Sequence, residues 1–195
     1  MRPLVRTVFW VLAAAWLGGC GEDARKFKLT DVTAADFGKE LNLTDHNGKP
    51  RTLADFHGRV VTVFFGFTLC PDACPTTLVE MAQVVKALGR DADKVQVLFV
   101  TVDPERDTQK VLAQYVPSFN PSFLGLYGDA KATARVAKDF KVYYQKRPVE
   151  GGGYSIDHSA GTFIFDREGR LRLFAQYGQG ATPLLHDIRL LLSGA

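Results

Sequence analysis

Two thiols four residues apart are the first place where this chain could do chemistry. Cys70 and Cys74 lie in Thr68-Leu69-Cys70-Pro71-Asp72-Ala73-Cys74-Pro75. A thiolate is both a nucleophile and a metal ligand. A spacing of four would stack the two side chains on one face of a helix. At a helix N-terminus the macrodipole favours thiolate, so lowered thiol pKa values are expected there. The plain alternative is two small core residues or an inert structural disulfide, because buried cysteine is common. Two cysteines at one site, each followed by proline, weigh against it.

The elements around these thiols follow from apolar periodicity. Val60 to Phe67 is a continuous β-branched and aromatic run, which predicts a central strand buried on both faces. Pro75 to Leu88 predicts a helix, with Leu78, Met81, Ala82, Val85 and Leu88 on one face and Pro75 at its first position. Val95 to Val102 reads as a second buried strand, Gln109 to Val116 as a short helix and Ala130 to Phe140 as another. Leu41 to Thr44 and Arg51 to Leu53 flank His46-Asn47-Gly48, and Asn-Gly is a strong hairpin signal. Thr162 to Phe165 and Leu171 to Phe174 form a strand pair, and a helix from about Thr182 to Leu192 closes the chain. This order argues an α/β fold with a central mixed sheet flanked by helices and an N-terminal β-hairpin extension. With cysteines at the end of the first long strand it looks like a thioredoxin-like fold.

In such a fold the segment before Thr162 faces the start of the cysteine helix. That segment is Tyr154-Ser155-Ile156-Asp157-His158-Ser159, so His158 is expected to approach Cys70 and Cys74. Asp157 either orients the imidazole or turns the chain. Asp103, at the end of the second strand, either faces the site or forms a turn before Pro104. Tyr143, Tyr144 and Tyr154 read first as hairpin packing, and Gly151 to Gly153 as a hinge for the His158 loop. Two thiolates and an imidazole make a soft three-ligand set that suits zinc or copper. Structural zinc normally takes four protein ligands, and His46, His57 and His186 fall elsewhere. The set favours copper, although spacing alone does not fix the metal.

These residues carry a family resemblance. Phe64-Phe65-Gly66-Phe67-Thr68-Leu69-Cys70-Pro71-Asp72-Ala73-Cys74-Pro75 resembles the cysteine motif of the Sco/SenC copper proteins. Thr101-Val102-Asp103-Pro104-Glu105-Arg106-Asp107-Thr108 resembles their second motif, and Asp157-His158-Ser159-Ala160 before Thr162-Phe163-Ile164-Phe165-Asp166 their histidine motif. Ala73 stands where a branched residue is common and Leu69 where an aromatic is common; neither is a proposed ligand. The resemblance covers the chain from about Phe27 onward. It implies copper held by Cys70, Cys74 and His158, as copper(I) and in a second state as copper(II). It also implies a metallochaperone for the binuclear copper site of cytochrome c oxidase subunit II.

A thiol-disulfide oxidoreductase, with Cys70 attacking and Cys74 resolving, is the competing reading. Its spacing is one residue longer than the usual Cys-x-x-Cys. Thioredoxins also carry a cis-proline where Gly161 falls here. A peroxidase of the peroxiredoxin type fits less well, because Thr68-Leu69-Cys70 lacks one residue of Thr-x-x-Cys.

The N-terminus reads as an address. Arg2 and Arg6 precede an uncharged apolar run from Thr7 to Leu17, then Gly18, Gly19 and Cys20. That is a secretory signal pattern, with an apolar run short of the roughly 20 residues a spanning helix needs. Leu17-Gly18-Gly19-Cys20 resembles a bacterial lipobox, with Gly18 where Ala or Ser is common. Residues 1–19 are therefore expected to be a signal peptide and 20–26 a tether lipidated at Cys20. Residues 27–195 would be a single monomeric domain, membrane-anchored on the periplasmic face in a disulfide-permissive space. From Cys20 onward 22 basic residues meet 21 acidic ones, because the 24 Lys and Arg include Arg2 and Arg6. A nearly neutral body gives no electrostatic footprint for nucleic acid. Three cysteines exclude a disulfide-dense scaffold.

Overall fold

The long apolar runs pair at the centre of a sheet whose two faces are both covered. A computed structural model describes residues 26–194, so the signal segment and Cys20 lie outside the described residues. The strands are β1 (Thr30–Asp31), β2 (Leu43–Asp45), β3 (Pro50–Arg51), β4 (Val60–Gly66), β5 (Val95–Thr101), β6 (Leu124–Tyr127), β7 (Tyr144–Pro148), β8 (Tyr154–His158), β9 (Gly161–Phe165) and β10 (Leu171–Gln176). The helices are α1 (Ala73–Leu88), α2 (Gln109–Tyr115), α3 (Ala130–Asp139) and α4 (Ala181–Ser193). Eight strands form one mixed sheet in the order β1-β10-β9-β4-β5-β6-β2-β3, and β7 pairs only with β8. β4, β5 and β6 run parallel; β9 joins β4 antiparallel. The fold is thioredoxin-like α/β with a central mixed sheet flanked by helices, as its sequence pattern predicts.

Alternation along β4 and β5 sorts side chains between two cores. Val60, Phe64, Val95, Val97 and Phe99 face α1 and α4, where Leu78, Met81, Val85, Leu88, Leu184, Ile188 and Leu191 are buried. Val61, Val63, Phe65, Leu98 and Val100 face α3, against Val136, Ala137 and Phe140. Each such side chain contributes about 1.5–3 kcal/mol of hydrophobic stabilisation. Every residue of β4 and β5 is buried, and the cysteine turn leaves from the end of this pair.

The hairpin predicted at Asn47-Gly48 is present as β2 and β3. It is less an extension than an edge of the main sheet, because β2 pairs with β6. The Asp45 carboxylate accepts from the Asn47 and Lys49 amides at 2.8 and 3.0 Å, and Gly48 takes φ +83°. Asp187 on α4, fully buried, accepts from the Lys28 and Leu29 amides and ties the N-terminal segment to the last helix. Among the described residues no helix is long and apolar enough to cross a membrane.

Candidate metal centre

β4 delivers the chain to a turn that bends from Phe67 to Asp72 and then enters α1. Helix α1 begins at Ala73, two residues earlier than predicted, so Pro75 sits within its first turn, where its missing N–H costs little. Cys74 is consequently the second helical residue, whereas Cys70 precedes the helix with its amide bonded to the Phe67 carbonyl at 3.2 Å. The two thiols do not stack on one helical face. They converge because the turn folds back over the helix start. Neither is in a disulfide; Cys74 is fully buried and Cys70 half-buried.

Gly66 makes room for this arrangement. A Cβ built there would lie 2.6 Å from Cys74 Sγ and 3.0 Å from the Phe99 ring. A glycine inside an otherwise unbroken apolar strand often marks such a close approach.

His158 is the last residue of β8 rather than a loop residue. Its Nε2 lies 3.8 Å from Cys74 Sγ, and its Nδ1–H donates to the Ser159 carbonyl at 3.0 Å. Because a carbonyl can only accept, that bond fixes the tautomer and leaves the Nε2 lone pair facing the thiols. The ligand atoms of Cys70, Cys74 and His158 all lie within 4.8 Å of one another. Three soft donors within that span can close on one ion without moving the backbone far.

Burial sets the electrostatics. It pushes the Cys74 thiol well above its ordinary pKa, against the lowering expected from the helix dipole. Desolvation of a fully buried thiolate outweighs the partial charge of a helix end. Burial also lowers the His158 pKa, which keeps the imidazole neutral, the form that binds metal.

Other expectations resolve differently. Asp157 does not orient the imidazole: neighbouring strand residues point to opposite faces, and its carboxylate pairs outward with Arg147 at 2.9 Å. Asp103 is fully buried but directed to Arg106 and to the Tyr154 hydroxyl, 2.8 Å away. Gly151 to Gly153 form the tip of the β7–β8 hairpin, at the opposite end of β8 from His158, so they do not flank it as a hinge. His46 is structural, its Nδ1 accepting from the Gly125 amide at 3.0 Å. Asp107, which sequence reasoning placed in a motif without a role, anchors the cysteine turn. Its buried carboxylate accepts from the Thr68 amide at 3.0 and 3.3 Å, the Thr68 hydroxyl at 2.5 Å and the Thr101 hydroxyl at 2.6 Å.

The SCO1/SenC family model matches residues 30–193. The chain belongs to the SCO1/SenC family. A mitochondrial SCO2 homolog of Mus musculus is 36% identical over 96% of this chain and 77% of its own length. The structure of Bradyrhizobium japonicum ScoI with copper bound aligns with TM-score 0.72 and 40% identity, covering 78% of this chain and 98% of that one. BsSco, a member of the Sco family of cytochrome c oxidase assembly proteins, shares the fold at TM-score 0.64 and 20% identity, over 82% of this chain and 95% of its own. For this SCO1/SenC chain the cysteine, Asp103–Arg106 and histidine segments, far apart in sequence, meet at one end of the sheet.

Proposed function

We propose that the protein is a metallochaperone that holds copper through Cys70, Cys74 and His158 and delivers it to the binuclear copper site of cytochrome c oxidase subunit II. The observation that carries this reading is the convergence of two thiols and a tautomer-fixed imidazole within 4.8 Å. The copper-bound relative at 40% identity supports the choice of metal. Copper is cargo here. Copper(I) is well served by two thiolates, and the imidazole adds the donor that copper(II) favours. Transfer proceeds by ligand exchange, thiolate for thiolate. The half-buried Cys70 is the point of entry for the acceptor's sulfur and Cys74 the inner ligand.

Disulfide exchange needs an accessible thiolate at working pH. In that reading Cys70 attacks and Cys74 resolves, and neither step uses an imidazole; the tautomer-fixed His158 facing both thiols is what favours metal binding over exchange. The decisive experiment uses His158→Ala, because both readings need the cysteines and only the metal reading needs the imidazole. In copper-limited cells this variant is expected to lower oxidase assembly, with partial rescue by added copper through mass action. Full assembly at low copper, with thiol exchange unchanged, would leave disulfide reduction as the function.

The reading includes a location. A signal over residues 1–19 and lipid at Cys20 would hold the domain from residue 27 onward at the outer face of a membrane. The positive n-region, short apolar run and small residues before Cys20 support it. The mature protein should begin at residue 20 with the mass of attached lipid. An unmodified N-terminus elsewhere would refute the anchor.

A further inference from the structure

β8 supplies the imidazole, yet the β7–β8 hairpin makes no backbone ladder with the eight-stranded sheet among the described residues. Something other than strand pairing must hold His158 over the thiols. Tyr154, Ile156 and His158 share one face of β8, by the two-residue period, so whatever fixes the face at Tyr154 also fixes the direction of His158. Ile156 is buried in the core beside α3. The polar attachments of the hairpin to the body fall on Asp103 to Arg106. Lys146 pairs with Glu105 at 2.6 Å, but both side chains are largely exposed, so that pair contributes little.

Arg106 is placed differently. Its Nε pairs with the fully buried Asp103, and its Nη1 donates to the Tyr154 carbonyl at 2.7 Å. Its guanidinium lies 3.8 Å from the centre of the Tyr154 ring and 5.8 Å from that of Phe67. The Phe67 ring meets the His158 ring edge to face at 5.9 Å. One planar cation thus grips the histidine strand and braces the aromatic against which the imidazole packs. Lysine cannot reproduce this, having neither the flat stacking face nor the fixed fork of donors.

We propose that Arg106 is a positioning residue for the third metal ligand: it clamps Tyr154 and thereby holds the His158 imidazole over Cys70 and Cys74. The inference rests on the copper reading above and deepens it. Two thiolates suffice for copper(I), whereas copper(II) needs the imidazole, so loss of the clamp separates the two oxidation states.

The test uses the reduced full-length protein. In Arg106→Lys, copper(II) affinity is expected to fall about tenfold or more, the scale of losing a group that orients a ligand. Its spectrum should move toward that of His158→Ala, while copper(I) affinity stays within about threefold because both thiolates remain. Without metal, amides of residues 144–158 should exchange about tenfold faster while those of β4 and α1 do not change. The double variant with His158→Ala should bind copper(II) no more weakly than His158→Ala alone. Tyr154→Leu leaves the Asp103–Arg106 pair intact and should give the same signature if the arginine variant does not fold. Native copper(II) affinity and spectrum, losses that add to those of His158→Ala, or unchanged hairpin exchange would each overturn the proposal. If instead His158→Ala matches the unaltered protein in copper(II) spectrum, the ligand reading fails, and the metal-free exchange still decides whether Arg106 clamps the hairpin.

Discussion

Cys74→Ala should abolish tight copper(I) binding while the domain still folds. Cys74 Sγ is the inner donor: it is closed from solvent, faces His158 Nε2 at 3.8 Å and lies against Gly66. Losing a group that merely orients a ligand costs about 10–100-fold in metal affinity, and losing a thiolate ligand should exceed that. The fold should lose only about 1 kcal/mol, because the vacated volume is one sulfur. Cys70→Ala should weaken copper as severely with a smaller effect on stability, its side chain being half-buried. The proton balance gives a second reading of the same site. Burial holds the Cys74 thiol protonated at neutral pH, so copper uptake must release that proton and tighten as pH rises. For the metal-free fold the sign is opposite. An acid whose native pKa is raised costs the fold stability as pH climbs above its unfolded value, so the apo protein should weaken in alkali. Titration calorimetry in buffers of differing ionisation enthalpy measures the released protons. Copper(I) binding by Cys74→Ala at unaltered affinity would remove this residue from the site.

Asp107→Ala should cost at least about 3 kcal/mol, since it strands an amide and two hydroxyls that lose their acceptor, at about 1–3 kcal/mol for each buried group left unpaired. The damage should not stay local. The Thr68 amide and hydroxyl bond to this carboxylate, and Cys70 follows two residues later. Copper affinity should therefore fall although Asp107 is not proposed as a ligand. Asp107→Asn keeps one oxygen acceptor and should fall between the two. Burial raises the Asp107 pKa, so the native state binds its proton more tightly than the unfolded chain does. This group therefore adds stability as pH falls through its raised value. At Asp45 and Asp166 burial pushes the pKa up but hydrogen bonds together outweigh it and hold it low, so these groups contribute stability that is lost on acidification. Chemical denaturation at neutral pH provides the check. A loss below about 0.5 kcal/mol, the range of an ordinary surface change, would contradict the anchoring role.

The convergence of Cys70, Cys74 and His158 is legible in the sequence because soft donors, a strand-to-helix turn and ordered motifs coincide. The β4 and β5 runs and the buried face of α1 were legible because uninterrupted apolar stretches admit few alternatives. Where reading failed, the missing information was tertiary. β6 is four residues containing a glycine and β1 is two residues, so their strand character comes from neighbours rather than from propensity. The direction of the Cys74 pKa is not legible in the sequence, because helix position is visible there and desolvation is not. Of the two roles open to Asp157, adjacency suggests orienting the imidazole, but adjacent strand residues face apart and its carboxylate pairs with Arg147. The role of Asp107 depends on Thr68 and Thr101, which only the β4–β5 pairing brings side by side. Gly66 did leave a trace: a lone glycine in an aromatic strand.

The β7–β8 hairpin closes on itself at its base, where the Ser159 amide donates to the Tyr143 carbonyl at 2.9 Å and the Tyr143 amide to the Ser159 hydroxyl at 3.1 Å. Of the three proposed donors, Cys74 sits in α1 and Cys70 in the turn that leads into it, whereas His158 rides on a cassette with adjoining ends. Such a cassette can be lengthened at Gly151–Gly153 or recoded along its outer face, where Arg147 pairs with Asp157, while Ile156 and Tyr154 keep it seated on the frame. Variation in how the third donor is presented thus becomes separable from variation in the fold. On the proposed ligand set, editing the fifteen residues 144–158 would change how the imidazole is presented without touching the strands that carry the thiols.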